Sequence, residues 1–244
     1  MEQVRTKDSK IRLRGVIKHV YKKMGKAIVD YQMLEQHDNI LVVMSPEEKS
    51  LSLIHLFKMR QKRVPIRFNF IACLLDECAG EKRQDEIIDY FQRERIEYMV
   101  VSIAPPDTHT HTPWCSFEVR KMLCDTARQQ GCNKIALPDV LDDVTESVVL
   151  NLCFLGKIGG IKPKIELLDT ELYVIRPLCY VERGEVTNFF SQFRFPRVAE
   201  PREAPGDERK EIARQIVESL KKGCPYVNKN IFNSLNKIRR DYLL

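Results

Sequence analysis

Apolar residues recur with a 3.6-residue period from about Ser9 to Glu35, at Leu13, Val16 and Ile17, Val20, Met24, Ala27 and Ile28, Tyr31 and Leu34. Lys10, Arg12, Arg14, Lys18, Lys22, Lys23 and Lys26 fill the positions between, which predicts an amphipathic helix with a basic outer side. The pattern then changes to continuous apolar runs, NILVVM (39–44), IRFNFIACLL (66–75), EYMVVSI (97–103) and KIAL (134–137), with helical patterns between them near 48–60, 81–95 and 115–130. Strands that are apolar on both faces and divided by helices pack as a parallel sheet covered on both sides. The predicted fold class is α/β, a Rossmann-like sandwich.

Beyond the fourth strand, PDVLDDVTESVVLNLCFLG predicts a helix with Asp142 and Asp143 in its first turn, where carboxylates suit the helix dipole. GKIGGIKPK reads as a loop, IELLD and ELYVIRPL as a hairpin, and VERGEVTNFFSQF as a further helix. Asp207 is a candidate cap for ERKEIARQIVESLKK, and a last helix is expected to carry Ile231, Leu235, Ile238 and Tyr242 on one face. The patterns divide the chain into a basic helical arm (1–37), an α/β domain (38–195) and a C-terminal linker with a helical appendage (196–244).

Composition narrows the class. A length of 244 residues, 43% hydrophobic and 30% charged, suits a soluble globular protein with a sizeable core. No apolar run reaches the roughly 18 residues of a membrane span, and MEQVRTKDSK has no apolar h-region, so a cytoplasmic protein without a membrane partner is expected. The eight cysteines include no CxxC pair and sit mostly in apolar stretches, as small buried hydrophobes rather than a disulfide framework. A formal charge of +6 is concentrated in KIRLRGVIKHVYKKMGK and NKIRR, which serve either as solvated helix faces or as phosphate contacts, with RNA rather than DNA as the expected partner.

The chemistry is expected at MSPEEKS, Met44 to Ser50, where a buried strand enters a turn and then a helix. Such turns bind phosphate through unpaired N–H groups at the helix start and favour glycine. This one carries Pro46, Glu47 and Glu48 instead. Each carboxylate beside a phosphate at about 4 Å opposes it by about 4 kcal/mol before screening, at an effective dielectric near 20.

Four segments in order, GKAIVDYQMLEQHDNILVVMS, GCNKIALPDVLDD, LNLCFLGKIGGIKPK and YVIRPLCYV, resemble the PP-loop ATP pyrophosphatases, and within them the tRNA cytidine 2-sulfurtransferase (2-thiocytidine-forming) group. The resemblance runs nearly the whole chain. It implies an adenine nucleotide alpha hydrolase-like fold and a transferase that modifies tRNA by ATP-dependent thiolation. It also implies an S-G-G-x-D-S loop on the pyrophosphate, a 4Fe-4S cluster held by three cysteines, and a homodimer. On this chain the cofactor loop falls on Ser45, Lys49 and Ser50, with Lys49 where the family has aspartate. The family's G-H-x-x-D-D falls on Pro138, Asp139, Val140, Leu141, Asp142 and Asp143. The cluster positions fall on Cys115, Glu118 and Glu200.

The resemblance makes Cys115, Asp142 and Asp143 the candidate catalytic residues. One thiolate with two carboxylates is a poor ligand set for a sulfide cluster, whereas His109, His111, Cys115, Glu118 and Glu200 together suit Zn²⁺ or iron. Lys18, Lys22, Lys23, Lys157, Lys162 and Arg176 are the candidate tRNA contacts. The expected protein is a divergent, tRNA-directed member of the thiolating group with lost or altered ATP and Mg²⁺ and iron–sulfur chemistry. The alternatives are a non-catalytic RNA- or protein-binding pseudoenzyme and a metal-dependent enzyme built on the His/Cys/Glu set.

Overall fold

A computed structural model of the chain describes residues 15–75, 80–102 (side chains from 84), 117–167, 171–196 and 208–237. The elements run α1 (Gly15–Asp30), β1 (Asn39–Met44), α2 (Glu48–Gln61), β2 (Asn69–Leu75), α3 (Gly80–Glu94), β3 (Tyr98–Val101) and α4 (Phe117–Gln129). Next come β4 (Lys134–Ala136), α5 (Leu141–Leu155), β5 (Lys164–Leu167), β6 (Leu172–Ile175), α6 (Arg183–Phe190), α7 (Glu208–Gly223) and α8 (Val227–Ser234). The sheet order is β3-β2-β1-β4-β6-β5. All pairings are parallel except β5 with β6, the predicted hairpin, which closes one edge.

The strands are apolar on both faces because both are covered. Ile40, Val42 and Met44 of β1 join one cluster with Met24 of α1, Phe57 of α2, Phe91 of α3 and Phe189 of α6. Leu41 and Val43 point the other way, onto Leu123 and Ala127 of α4. A smaller cluster holds α7 to α5, Val149 against Ala213 and Val217, with Ile231 of α8 packed on it. At the N-terminal end of the sheet, Lys134 and Asp38 form a buried ion pair of 2.7 Å, and Asn133 donates a further bond to the same carboxylate.

Three sequence expectations change. α1 stops at Asp30 rather than near Glu35, because Gln32 adopts a left-handed conformation (φ 48°). The N–H groups of Gln32 and Met33 then return to the carbonyls of Val29 and Ile28, a Schellman closure made without glycine. α8 stops at Ser234, and Ile238 and Tyr242 lie outside the described residues, as does Asp207. Of the cysteines, Cys73, Cys132 and Cys179 are buried as expected, and burial pushes their thiols up to about 12, 11 and 12, but Cys153 is exposed on α5.

Candidate functional site

From β1 the chain steps outward through β2 to β3 and then returns to β4 on the other side of β1. That reversal makes the C-terminal ends of β1 and β4 the crevice where α/β sheets receive ligands. The SPEEKS turn leaves β1 and the PDVLDD turn leaves β4, so strand order brings together two segments about ninety residues apart in sequence.

Part of the first turn's set of donors is already taken. Pro46 has no N–H; the Glu47 N–H bonds the Ser45 carbonyl at 2.7 Å; and the Ser50 and Leu51 N–H groups bond the Glu47 carbonyl at 3.2 and 3.3 Å. Ser45 Oγ and Ser50 Oγ lie 3.3 Å apart, each within reach of the other. Glu48 accepts from Thr187 Oγ1 at 2.7 Å, which ties α2 to α6. Lys49 crosses the crevice, its Nζ 3.4 Å from Glu47 and 3.5 Å from Asp143. Burial opposes the charged ammonium, yet Asp143, Glu47 and Asp139 outweigh it and raise the Lys49 pKa.

The acidic turn is equally committed. Asp143 accepts from the Val140 N–H at 3.0 Å, which caps α5, and from Arg183 at 3.1 Å. Burial works against its charge, but Lys49 and Arg183 hold its carboxyl below the ordinary range. Asp142, 2% exposed, accepts from Lys221 of α7 at 2.7 Å, Asn228 of α8 at 3.1 Å and the Arg183 N–H at 2.7 Å. Arg183 also holds Glu146 at 3.0 Å, whose carboxyl burial pushes up. Chemically the arrangement is a laced mouth: one ammonium from the first turn stands against the acids of the second, and both are neutralised from within the chain. Among the described residues, no three His, Cys, Asp or Glu side chains converge as metal ligands.

The remaining predicted residues are dispersed. Lys18 and Lys22 are exposed on α1, while Lys23 is bonded to Glu185 of α6 at 2.6 Å. Lys157 and Lys162 are exposed on the glycine-rich loop, which folds back on α5 through Asn151 to the Gly159 carbonyl and Ser147 to the Ile161 N–H. Gly160 is required there, because a Cβ would sit 2.6 Å from Val148. Arg176 differs from its reading as an RNA contact: it is 6% exposed and spans Asp139 at 2.5 Å and the Lys162 carbonyl at 2.9 Å, so it anchors the loop from below. Glu118 lies in the first turn of α4; His109, His111, Cys115 and Glu200 fall outside the described residues.

Sequence reasoning missed Arg183, Lys221 and Asn228, the partners of the acidic turn. Arg183 carried a faint signal as a cation at the start of the predicted helix VERGEVTNFF, but Lys221 and Asn228 meet Asp142 only through the docking of α7 and α8 on α5.

No family model matches the chain. It is 29% identical over 242 residues to the tRNA-cytidine(32) 2-sulfurtransferase of Dechloromonas aromatica (strain RCB), covering 95% of this chain and 84% of that one. To the enzyme of the same name from Paracidovorax citrulli (strain AAC00-1) it is 31% identical over 238 residues, covering 93% of this chain and 76% of that one. Among solved structures, the U34-tRNA thiolase NcsA from Methanococcus maripaludis, determined with its 4Fe-4S cluster, superposes with a TM-score of 0.70 at 20% identity, over 91% of this chain and 78% of that one. That fold, and sequence identity extending over nearly the whole chain, show that the protein belongs to the tRNA-cytidine(32) 2-sulfurtransferase group of the PP-loop family.

Proposed function

We propose that this protein is a tRNA-directed member of its group that works in the cytoplasm and does not use Mg·ATP at the turn after β1. The observation that carries this reading is the Lys49 ammonium set between Glu47 and Asp143. A triphosphate entering the crevice would have to displace that ammonium, face Glu47 and Glu48, and do without a donor at Pro46 and without the Glu47, Ser50 and Leu51 N–H groups, which are already bonded. A magnesium ion would compete for carboxylates already held by Lys49, Arg183 and Lys221. The residues at the cluster positions, Cys115, Glu118 and Glu200, do not fit a 4Fe-4S cluster either, since they supply one soft thiolate and two hard oxygens.

RNA binding is assigned to Lys18 and Lys22 on the outer face of α1 and to Lys157 and Lys162 on the glycine-rich loop. Lys164 donates to the Gln32 carbonyl at 2.7 Å, so the end of the loop lies beside the end of α1. The relatives' names supply the substrate class, tRNA. In this division of labour, the arm (1–37) and the loop of the central α/β domain (38–195) hold the RNA. The appendage (196–244) fastens the acidic turn through Lys221 and Asn228.

Filter binding of bulk tRNA across a salt series tests the reading. Four lysines on phosphates give a log–log slope of about −3. Alanine at Lys18, Lys22, Lys157 and Lys162 together is expected to flatten the slope, and ATP is expected to change nothing. Salt-insensitive binding, or tRNA affinity that requires ATP, would refute the proposal. Sedimentation of the same samples reads whether a homodimer forms.

A further inference from the structure

The far end of α2 carries a different kind of site. Arg60 lies about 15 Å along the helix axis from Ser50, at 1.5 Å per residue. It is 6% exposed, its Nε is buried without a hydrogen-bond partner, and among the described residues no carboxylate stands within ion-pair distance of it. Buried charges are ordinarily paired. The face of Tyr21, 4.7 Å from the guanidinium carbon, offers a cation–π contact and no counter-charge. α1 has made room for the group: a Cβ at Gly25 would overlap Arg60 Nη2.

The arginine lines a groove of about 480 Å³ that is otherwise mostly apolar, walled by Ile28, Val29, Leu34, Val64 and Ile66. Val29 is 74% exposed there, a large apolar side chain left in water at the groove's edge. The volume falls within the range of small-molecule pockets, and an apolar wall with one well-placed polar group is their usual composition. Arg60 is the one cation in the lining, and Glu35 contributes a negative charge to the same wall. Glu35 already has Lys134 and Lys164 at 3.9 and 4.0 Å, which leaves the single Arg60 guanidinium without a counter-charge, and a singly charged head group matches it.

We propose that this groove binds a small organic carboxylate with an apolar body, its carboxylate on the Arg60 guanidinium and its hydrocarbon along Ile28, Val29, Val64 and Ile66. Burial lowers the Arg60 pKa from its ordinary value, the cost that a bound carboxylate would offset. The site is separate from the β1–β4 crevice and does not depend on the reading given to that crevice.

The test is a titration of the full chain with sodium octanoate, 1-octanol and inorganic phosphate, followed by the amide shifts of Gly25 and Val64. Octanoate is expected to bind saturably and about tenfold or more tighter than octanol, and phosphate is expected not to displace it. Arg60→Leu, which removes an unpaired buried charge, should fold and bind the two probes equally. Failure of octanoate to saturate at millimolar concentration, equal binding of octanol to the unaltered protein, or displacement by phosphate would overturn the proposal. So would a surviving preference for octanoate in Arg60→Leu. If that variant does not fold, the comparison of octanoate with octanol on the unaltered protein still decides the matter.

Discussion

Replacing Lys49 with methionine keeps the length of the side chain and removes the charge that joins the two turns. Its ammonium stands 3.4 Å from Glu47 and 3.5 Å from Asp143, with side-chain exposures of 25%, 33% and 12% for the three groups. At those separations each pair is worth about 5 kcal/mol of gross attraction at an effective dielectric near 20, most of it cancelled by the loss of water. A fully buried pair costs about 3–5 kcal/mol when one partner is removed. Here Arg183 remains on Asp143 at 3.1 Å and the ammonium is partly solvated, so a loss of about 1–3 kcal/mol is expected. Urea denaturation with an unchanged m-value measures it, and in a domain of this size it corresponds to a fall in Tm of about 2–12 °C. A double-mutant cycle with Asp143→Asn should return a coupling above about 1 kcal/mol. Because the folded-state pKa of Asp143 is depressed, its contribution is present above its unfolded value of about 3.8 and is lost as pH falls below it; Lys49→Met should weaken that acid dependence. A coupling below about 0.5 kcal/mol, or an unaltered acid limb, would refute the view that Lys49 straps the crevice shut.

Two further substitutions test the frame. His55 bonds Tyr90 Oη at 3.1 Å among the rings of Phe189, Phe193 and Phe195, and burial lowers its pKa to about 4. The unfolded chain takes up that proton near 6.5, so stability is present above that pH and is lost toward 4, by about 2 kcal/mol between pH 7 and 5. His55→Phe should remove this slope in urea midpoints taken at the two pH values, and an undiminished slope would assign it to another group. Lys134→Met leaves Asp38 charged and buried, and a loss of about 3–5 kcal/mol is expected in the same assay. The double variant with Asp38→Asn should recover much of it; no recovery would mean that the pair is not the source of the loss.

The sheet was legible because it is buried on both faces: ILVVM in the first run and FIACLL in the second are apolar without alternation, as a strand covered on both sides requires. The helices were legible where one face is wet, as in α1. α2 is less amphipathic, since Leu51, Leu53, Ile54 and Phe57 are all buried on it, and its place followed from the strand before it. Ends were harder to read. Gln32 takes a left-handed turn that sequence habit assigns to glycine, and so shortens α1. The site was half visible. Pro46 and Glu47 stand out at a turn that ordinarily favours glycine, but the reach of Lys49 to Asp143 depends on β4 lying beside β1, which no local pattern encodes. Arg60 was hidden for the same reason: in KMRQKR it looks like one more solvated cation, and only the close approach of Gly25 buries it.

The most direct test of the closed crevice is a calorimetric titration of the unaltered protein with Mg·ATP, run beside a chain carrying Pro46→Gly, Glu47→Gly and Lys49→Asp. No heat of binding up to millimolar nucleotide is expected from the former, and measurable binding from the latter. Saturable submillimolar binding by the unaltered protein, abolished by changes within Ser45–Ser50, would contradict the account.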